Sequence, residues 1–74
     1  MENKILRILN VVLENRGKKN IENFKPDLDL RRDLELDSLD LAELTVRLES
    51  EFDVDIFENG NTNTLQEVVE KLTA

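Results

Sequence analysis

The chain has no cysteine, no histidine, no tryptophan and no tyrosine, and its 74 residues include one proline and two glycines. Without cysteine there is no thiol nucleophile and no disulfide staple, so nothing points to an oxidising compartment. Without histidine there is no imidazole to serve as a general base near neutral pH. Zinc sites built from those two residue types are excluded with them. No apolar run approaches the ~20 residues that a membrane-spanning helix needs. The opening Met1-Glu2-Asn3-Lys4 lacks the apolar centre of a signal peptide. Basic residues are scarce, ten against 17 acidic ones, for a formal net charge of −7. Such a chain has little with which to neutralise phosphates, which argues against nucleic-acid binding. These absences lead us to expect a small, soluble, cytoplasmic protein without a membrane span; we also expect a monomer.

What is present is a leucine-rich, acidic chain. Apolar residues make up 39% of it, and 13 of them are Leu. Residues 1–74 suffice for a single domain. Chains below ~80 residues bury a thin core and are only marginally stable. With three Phe as its largest members, that core should be deformable.

The charge is segregated. Residues 1–32 carry a net +3, residues 33–58 a net −9 and residues 59–74 a net −1. The acidic block is threaded with Leu39, Leu41, Leu44, Leu48 and Phe52, so it is not a disordered tail. It is either a solvated helix face or a docking face for a basic partner.

Three helices are predicted. Ile5, Ile8, Leu9, Val12 and Leu13 recur at helical spacing over residues 3–15, and Gly17 suits a left-handed C-cap. A second helix spans 38–52. A third spans 65–72, with Thr64 and Glu67 as a capping-box pair at its start. The first connection runs for about 20 residues, long enough to be suspicious unless it is functional. Its Ile21, Phe24, Leu28, Leu30, Leu34 and Leu36 should pin it to the bundle, with a helical turn at 30–34. Residues 52–56 alternate apolar and polar. A lone strand would have nothing to pair with, so we read an extended segment leading into a short helix at 56–59. The expected fold is an all-α bundle of three longer helices and one short one.

At about 100° per residue, the second helix has two faces. Leu41, Leu44, Thr45, Leu48 and Phe52 fall toward a core. Leu39, Glu43, Val46 and Ser50 fall opposite, flanked by Ala42 and Glu49. Leu39 and Val46 are one heptad apart, which places two aliphatic residues on one stripe of an acidic surface. A partner could set an apolar hollow over each and basic side chains around them. Asp37 and Ser38 both suit the N-cap of this helix. With Asp37 as the cap, Ser38 is the first helical residue. Its hydroxyl then projects near the positive end of the helix, where an attached anionic group is favoured. Ordinary helices open with the same residue types, so this local feature alone proves little.

Asp37-Ser38-Leu39-Asp40, opening a Leu-rich acidic helix, resembles the attachment motif of acyl carrier proteins. Asp33-Leu34-Glu35-Leu36 before it, Leu48-Glu49-Ser50-Glu51-Phe52 after it and Asp53-Val54-Asp55-Ile56 beyond extend the resemblance along the chain. It implies that Ser38 carries 4′-phosphopantetheine derived from coenzyme A, whose thiol holds acyl groups as thioesters. It implies that Asp37 is recognised by the phosphopantetheinyl transferase. Leu39, Asp40, Glu43, Val46 and Glu49 would form the docking face for acyl-transferring or synthase enzymes with basic patches. Leu41, Leu44 and Ile56 would line a pocket for the acyl chain, and a deformable core would let the helices part around it.

The chain departs from the fatty-acid carriers at Glu35, where they usually have Gly, at Leu36, usually a small residue, and at Phe57, usually Pro. Arg47 also puts a positive charge beside the docking stripe. A specialised lipid, polyketide or surface-polysaccharide pathway fits these departures at least as well as fatty-acid synthesis. Asp37 favours an acyl over a peptidyl cargo. An enzyme would need a base beside Ser38, and the nearest basic residues in sequence, Arg32 and Arg47, cannot serve. A calcium loop at Asp53, Asp55 and Glu58 fails because Phe57 takes a ligand position and Glu58 the required Gly. The serious rival is an acidic adaptor domain, unmodified at Ser38, docking basic partners through the same helix.

Overall fold

Each apolar stripe in the sequence becomes one buried helix face. The computed structural model describes residues 1–58 and 60–73. Three helices occur among them: α1 (Glu2–Asn15), α2 (Ser38–Phe52) and α3 (Leu65–Thr73). The fold is all-α, and the one β-type contact among the described residues is an isolated bridge between Asp29 and Thr64. α1 buries Ile5, Leu9, Val12 and Leu13; α2 buries Leu41, Leu44 and Leu48; α3 buries Leu65, Val68 and Leu72. All belong to one core cluster, completed by Leu30, Leu36 and Ile56.

The helix ends follow from local chemistry. Beyond α1, Gly17 takes φ +71°, a left-handed conformation that a side chain would strain. Its N–H donates to the Glu14 carbonyl at 3.0 Å, and the Lys18 N–H donates to the Leu13 carbonyl at 2.8 Å. This paired return is a Schellman motif. α2 ends on Asp53, also left-handed, whose N–H reaches the Glu49 carbonyl. At α3 the Thr64 hydroxyl accepts the Glu67 N–H, while the Glu67 carboxylate takes the N–H of Asn63. The capping pair is therefore displaced by one residue on its return side.

The long connection between α1 and α2 is ordered because its backbone groups find partners. Asn10 holds Ile21 from both sides, donating to its carbonyl at 3.0 Å and accepting its N–H at 2.7 Å. Leu30 N–H donates to the Asn63 carbonyl, and the N–H groups of Leu65 and Gln66 donate to the carbonyls of Leu28 and Pro26. The connection thereby becomes a strap across the start of α3. Residues 30–34 form a turn, started by the Asp29 carboxylate accepting the N–H groups of Arg31 and Arg32.

The short helix expected at 56–59 is a turn over residues 56–58, and Asn59 lies outside the described residues. The Asp55 carboxylate caps the turn by accepting the Phe57 N–H at 2.9 Å. What keeps it from lengthening is competition for a carbonyl that a helix would use. The Ile56 carbonyl is taken by the Thr62 hydroxyl and the Lys71 ammonium.

Glu35 holds φ +55° three residues before Ser38. A left-handed backbone costs a non-glycine residue about 1–2 kcal/mol. Part of that relief is lost to the greater freedom of glycine in the unfolded chain. We therefore expect Glu35→Gly to stabilise the fold by about 0.5–1 kcal/mol, raising the melting temperature a few degrees on the scale of about 4–8 °C per kcal/mol. Thermal unfolding followed by circular dichroism checks this. A lower melting temperature would show that the Glu35 side chain contributes more than its backbone strain removes.

Candidate functional site

The start of α2 is built by a reciprocal pair of carboxylates. Asp37 is extended, with φ −93° and ψ −175°, and is the N-cap. Its Oδ1 accepts the Asp40 N–H at 3.0 Å, and Asp40 Oδ2 accepts the Asp37 N–H at 3.1 Å. This capping box satisfies the helix end through the two residues that flank Ser38 and Leu39. Ser38 is the first helical residue, exposed, with its hydroxyl given no capping task. It sits where the unpaired N–H groups of the first turn concentrate positive potential.

The cation nearest this corner is one that sequence reading missed. Arg16, the C-cap of α1, places Nε 2.8 Å from Asp40 Oδ1 and Nη2 3.4 Å from Asp37 Oδ2. Asp40 is only 3% exposed. Its carboxylate is therefore engaged inside the chain rather than displayed on the docking face where sequence grouping placed it. Glu43 is half-buried and accepts from Arg47 Nε at 2.9 Å and from Asn15 Nδ2 at 3.0 Å. Asn15, Arg16 and Arg47 thus brace the first two turns of α2.

These contacts make two carboxyls more acidic. The Asp40 N–H, followed by the Arg16 charge, holds the Asp37 carboxyl below its ordinary 3.8. The Arg47 guanidinium, followed by the Asn15 amide, holds Glu43 below its ordinary 4.5. A carboxylate depressed in the folded state stabilises the fold fully above its unfolded value. That contribution is lost as pH falls through the folded value. We expect carbon-detected titration to give both carboxyls midpoints below 3.8 and 4.5 respectively, and their share of stability to disappear only as pH drops through those midpoints. Midpoints at or above the ordinary values would contradict the bracing.

Leu39 and Val46 are 74% and 67% exposed, and with Met1 they are the large apolar side chains most open to solvent. Below Leu39 the face continues as a shallow depression lined by Ala42, Glu43, Val46, Arg47 and Ser50. A second depression adjoins it between α1 and α2, where Ile8 and Val11 meet Arg47 and Ser50. Glu49 is exposed. Leu41, Leu44 and Ile56 point the other way and are 4%, 2% and 0% exposed. The structure therefore brings Ser38, Leu39, Glu43, Val46 and Glu49 to the outer side of α2, with Leu41, Leu44 and Ile56 packed behind it. No helix among the described residues is long and apolar enough to cross a membrane.

The sequence model of the family described as "Phosphopantetheine attachment site" matches residues 3–72, nearly the whole chain. The chain belongs to the acyl carrier protein family. The acyl carrier protein of Trieres chinensis is 36% identical to it over 70 residues, covering 92% of this chain and 86% of that protein. The acyl carrier protein of Rickettsia bellii (strain OSU 85-389) is 38% identical over 50 residues, covering 68% of this chain and 60% of that protein. As an acyl carrier, this protein has a carrier role with 4′-phosphopantetheine as its prosthetic group. The α2 start of this carrier fits such a group, since it offers an exposed hydroxyl whose neighbours are already satisfied and a positive helix end for a phosphodiester.

Proposed function

We propose that Ser38 is the attachment residue of this acyl carrier and that the exposed face of α2 docks the enzymes it serves. The observation that carries the reading is the capping box around Ser38, which leaves an exposed hydroxyl at the positive end of α2. In the modification, Ser38 Oγ loses its proton to the transferase and forms the bond to the pantetheine-side phosphorus of coenzyme A. The diphosphate link breaks, and adenosine 3′,5′-bisphosphate leaves. The bound group supplies a thiol on which acyl groups ride as thioesters. Asp37 keeps an exposed carboxylate beside Ser38 for the transferase to read. Leu39, Val46, Glu43 and Glu49 offer the apolar and acidic contacts that suit basic, partly apolar docking patches.

The chain itself supplies no histidine to activate a hydroxyl, which supports a non-catalytic carrier. Residues 1–74 act in this reading as one monomeric, cytoplasmic domain. The cargo shelters by parting Leu41, Leu44 and Ile56 at the core. Glu35, Leu36 and Phe57 support a specialised lipid, polyketide or polysaccharide-linked pathway as much as fatty-acid synthesis.

The rival reading, an unmodified adaptor, uses the same apolar stripe on α2. Intact mass after incubation with coenzyme A and a phosphopantetheinyl transferase separates the two. A carrier gains the mass of one phosphopantetheine. No gain with any of several transferases favours the adaptor.

A further inference from the structure

The Ile56 carbonyl is a doubly held point in a segment with no helix among its described residues. The Thr62 side chain is fully buried, and its hydroxyl donates to the Ile56 carbonyl. Lys71, from the last turn of α3, donates its ammonium to the same carbonyl at 2.8 Å. The same ammonium lies 3.2 Å from the Gly60 carbonyl and 3.3 Å from that of Asn61. An ammonium has three donors and no acceptor, and here three backbone carbonyls from one connecting segment receive it. Ile56 itself is fully buried and belongs to the core cluster with Leu44, Leu48 and Leu65. A backbone movement that withdraws Ile56 from the core would carry its carbonyl away from Lys71.

We propose that Lys71 is a latch, a positioning residue that ties the Ile56 segment to α3 and so limits how long an acyl chain the core admits. The proposal rests on the carrier reading, in which the cargo enters by displacing Ile56. Charge-assisted hydrogen bonds are stronger than neutral ones and are lost together when one ammonium is removed. Of the two groups that hold the Ile56 carbonyl, the Thr62 hydroxyl alone then remains. The latch acts on the gate and touches neither Ser38 nor the outer face of α2, so it adjusts cargo size without altering attachment or docking.

The test uses the full chain with Lys71→Met, which keeps the side-chain stem, and Lys71→Arg, which keeps charge and donors. In the unmodified proteins, amide hydrogen exchange at Phe57, Glu58 and Gly60 should accelerate about tenfold in Lys71→Met while Leu9 and Leu13 in α1 keep their rates. Lys71→Arg should lie near the parent. In the holo proteins, loaded with saturated chains of increasing length, the rise in melting temperature on acylation should extend to longer chains in Lys71→Met than in the parent. Unchanged exchange at residues 57–60 overturns the latch, whatever happens at Ser38. Faster exchange with an unchanged chain-length limit overturns its role in cargo size. Absence of any mass gain at the loading step defeats the carrier reading, and with it the cargo role, while the exchange result still judges the latch.

Discussion

Leu44→Ala should lower the unfolding free energy by about 2–5 kcal/mol, the range for truncating a fully packed leucine. Leu44 is 2% exposed on the inner face of α2 and packs within the one core that all three helices share. A chain of this length has a total stability of only roughly 4–11 kcal/mol, so this single change removes a large share of it. At about 4–8 °C per kcal/mol the melting temperature falls by about eight degrees or more. Leu39→Ala, one residue after Ser38 but 74% exposed, should stay within about 0.5 kcal/mol of the parent. The pair separates packing from docking on one helix. A carrier core adds a second expectation. An acyl chain that occupies the space vacated at Leu44 should reduce the deficit, so the acylated variant melts closer to the acylated parent than the unmodified variant does to the unmodified parent. Denaturant unfolding of Leu44→Ala and Leu39→Ala, read side by side, checks the first claim. Equal losses would mean that the two faces of α2 are assigned wrongly.

Arg16→Met should be the most damaging substitution at the functional corner. Asp40 is buried and relies on Arg16 for its nearest positive charge. Removing one partner of a buried pair can cost 3–5 kcal/mol, because the other charge is left without compensation. Arg16 is itself 45% exposed, and water reaching that side reduces the loss to about 1–3 kcal/mol. The guanidinium also sits at the C-terminal end of α1, where a cation offsets the unpaired carbonyls. Asp40→Asn retains an oxygen to accept the Asp37 N–H while removing the charge that needs Arg16. In a double-mutant cycle of Arg16→Met and Asp40→Asn, the coupling should be about 1–2 kcal/mol. Strict additivity would show that Arg16 matters only through α1.

How much of this was legible in the sequence depended on the range of the interaction. The helices, the Gly17 stop and the Thr64–Glu67 start are read from neighbours within four residues, and those features are present in the structure. The two faces of α2 follow from the same periodicity. Asp40 shows where residue type misled. It lies four residues before Leu44, on the same helical face, so spacing alone turns it inward. Its charge and its place beside Leu39 grouped it with the outer acidic residues instead. The group that makes its burial tolerable, Arg16, is 24 positions away and leaves no local signal. The short helix at 56–59 was a fair reading of local propensity. It is a turn over 56–58 because Thr62 and Lys71 take the Ile56 carbonyl from farther along the chain. Glu35 was visible as a departure from glycine, but only its positive φ shows that the departure is paid in backbone strain.

The central claim is that one hydroxyl, that of Ser38, carries the prosthetic group. The chain has two serines, Ser38 and Ser50. Both are exposed on α2, but only Ser38 stands at the positive end of the helix. Arg32, Arg47 and Lys71 let trypsin separate them, with Ser38 in the peptide 33–47 and Ser50 in the peptide 48–71. After loading from coenzyme A with a phosphopantetheinyl transferase, peptide mass spectrometry should find the added group on 33–47 alone. Ser38→Ala should abolish it, and Ser50→Ala should leave it intact. An added mass on peptide 48–71, or one that survives Ser38→Ala, would contradict the account.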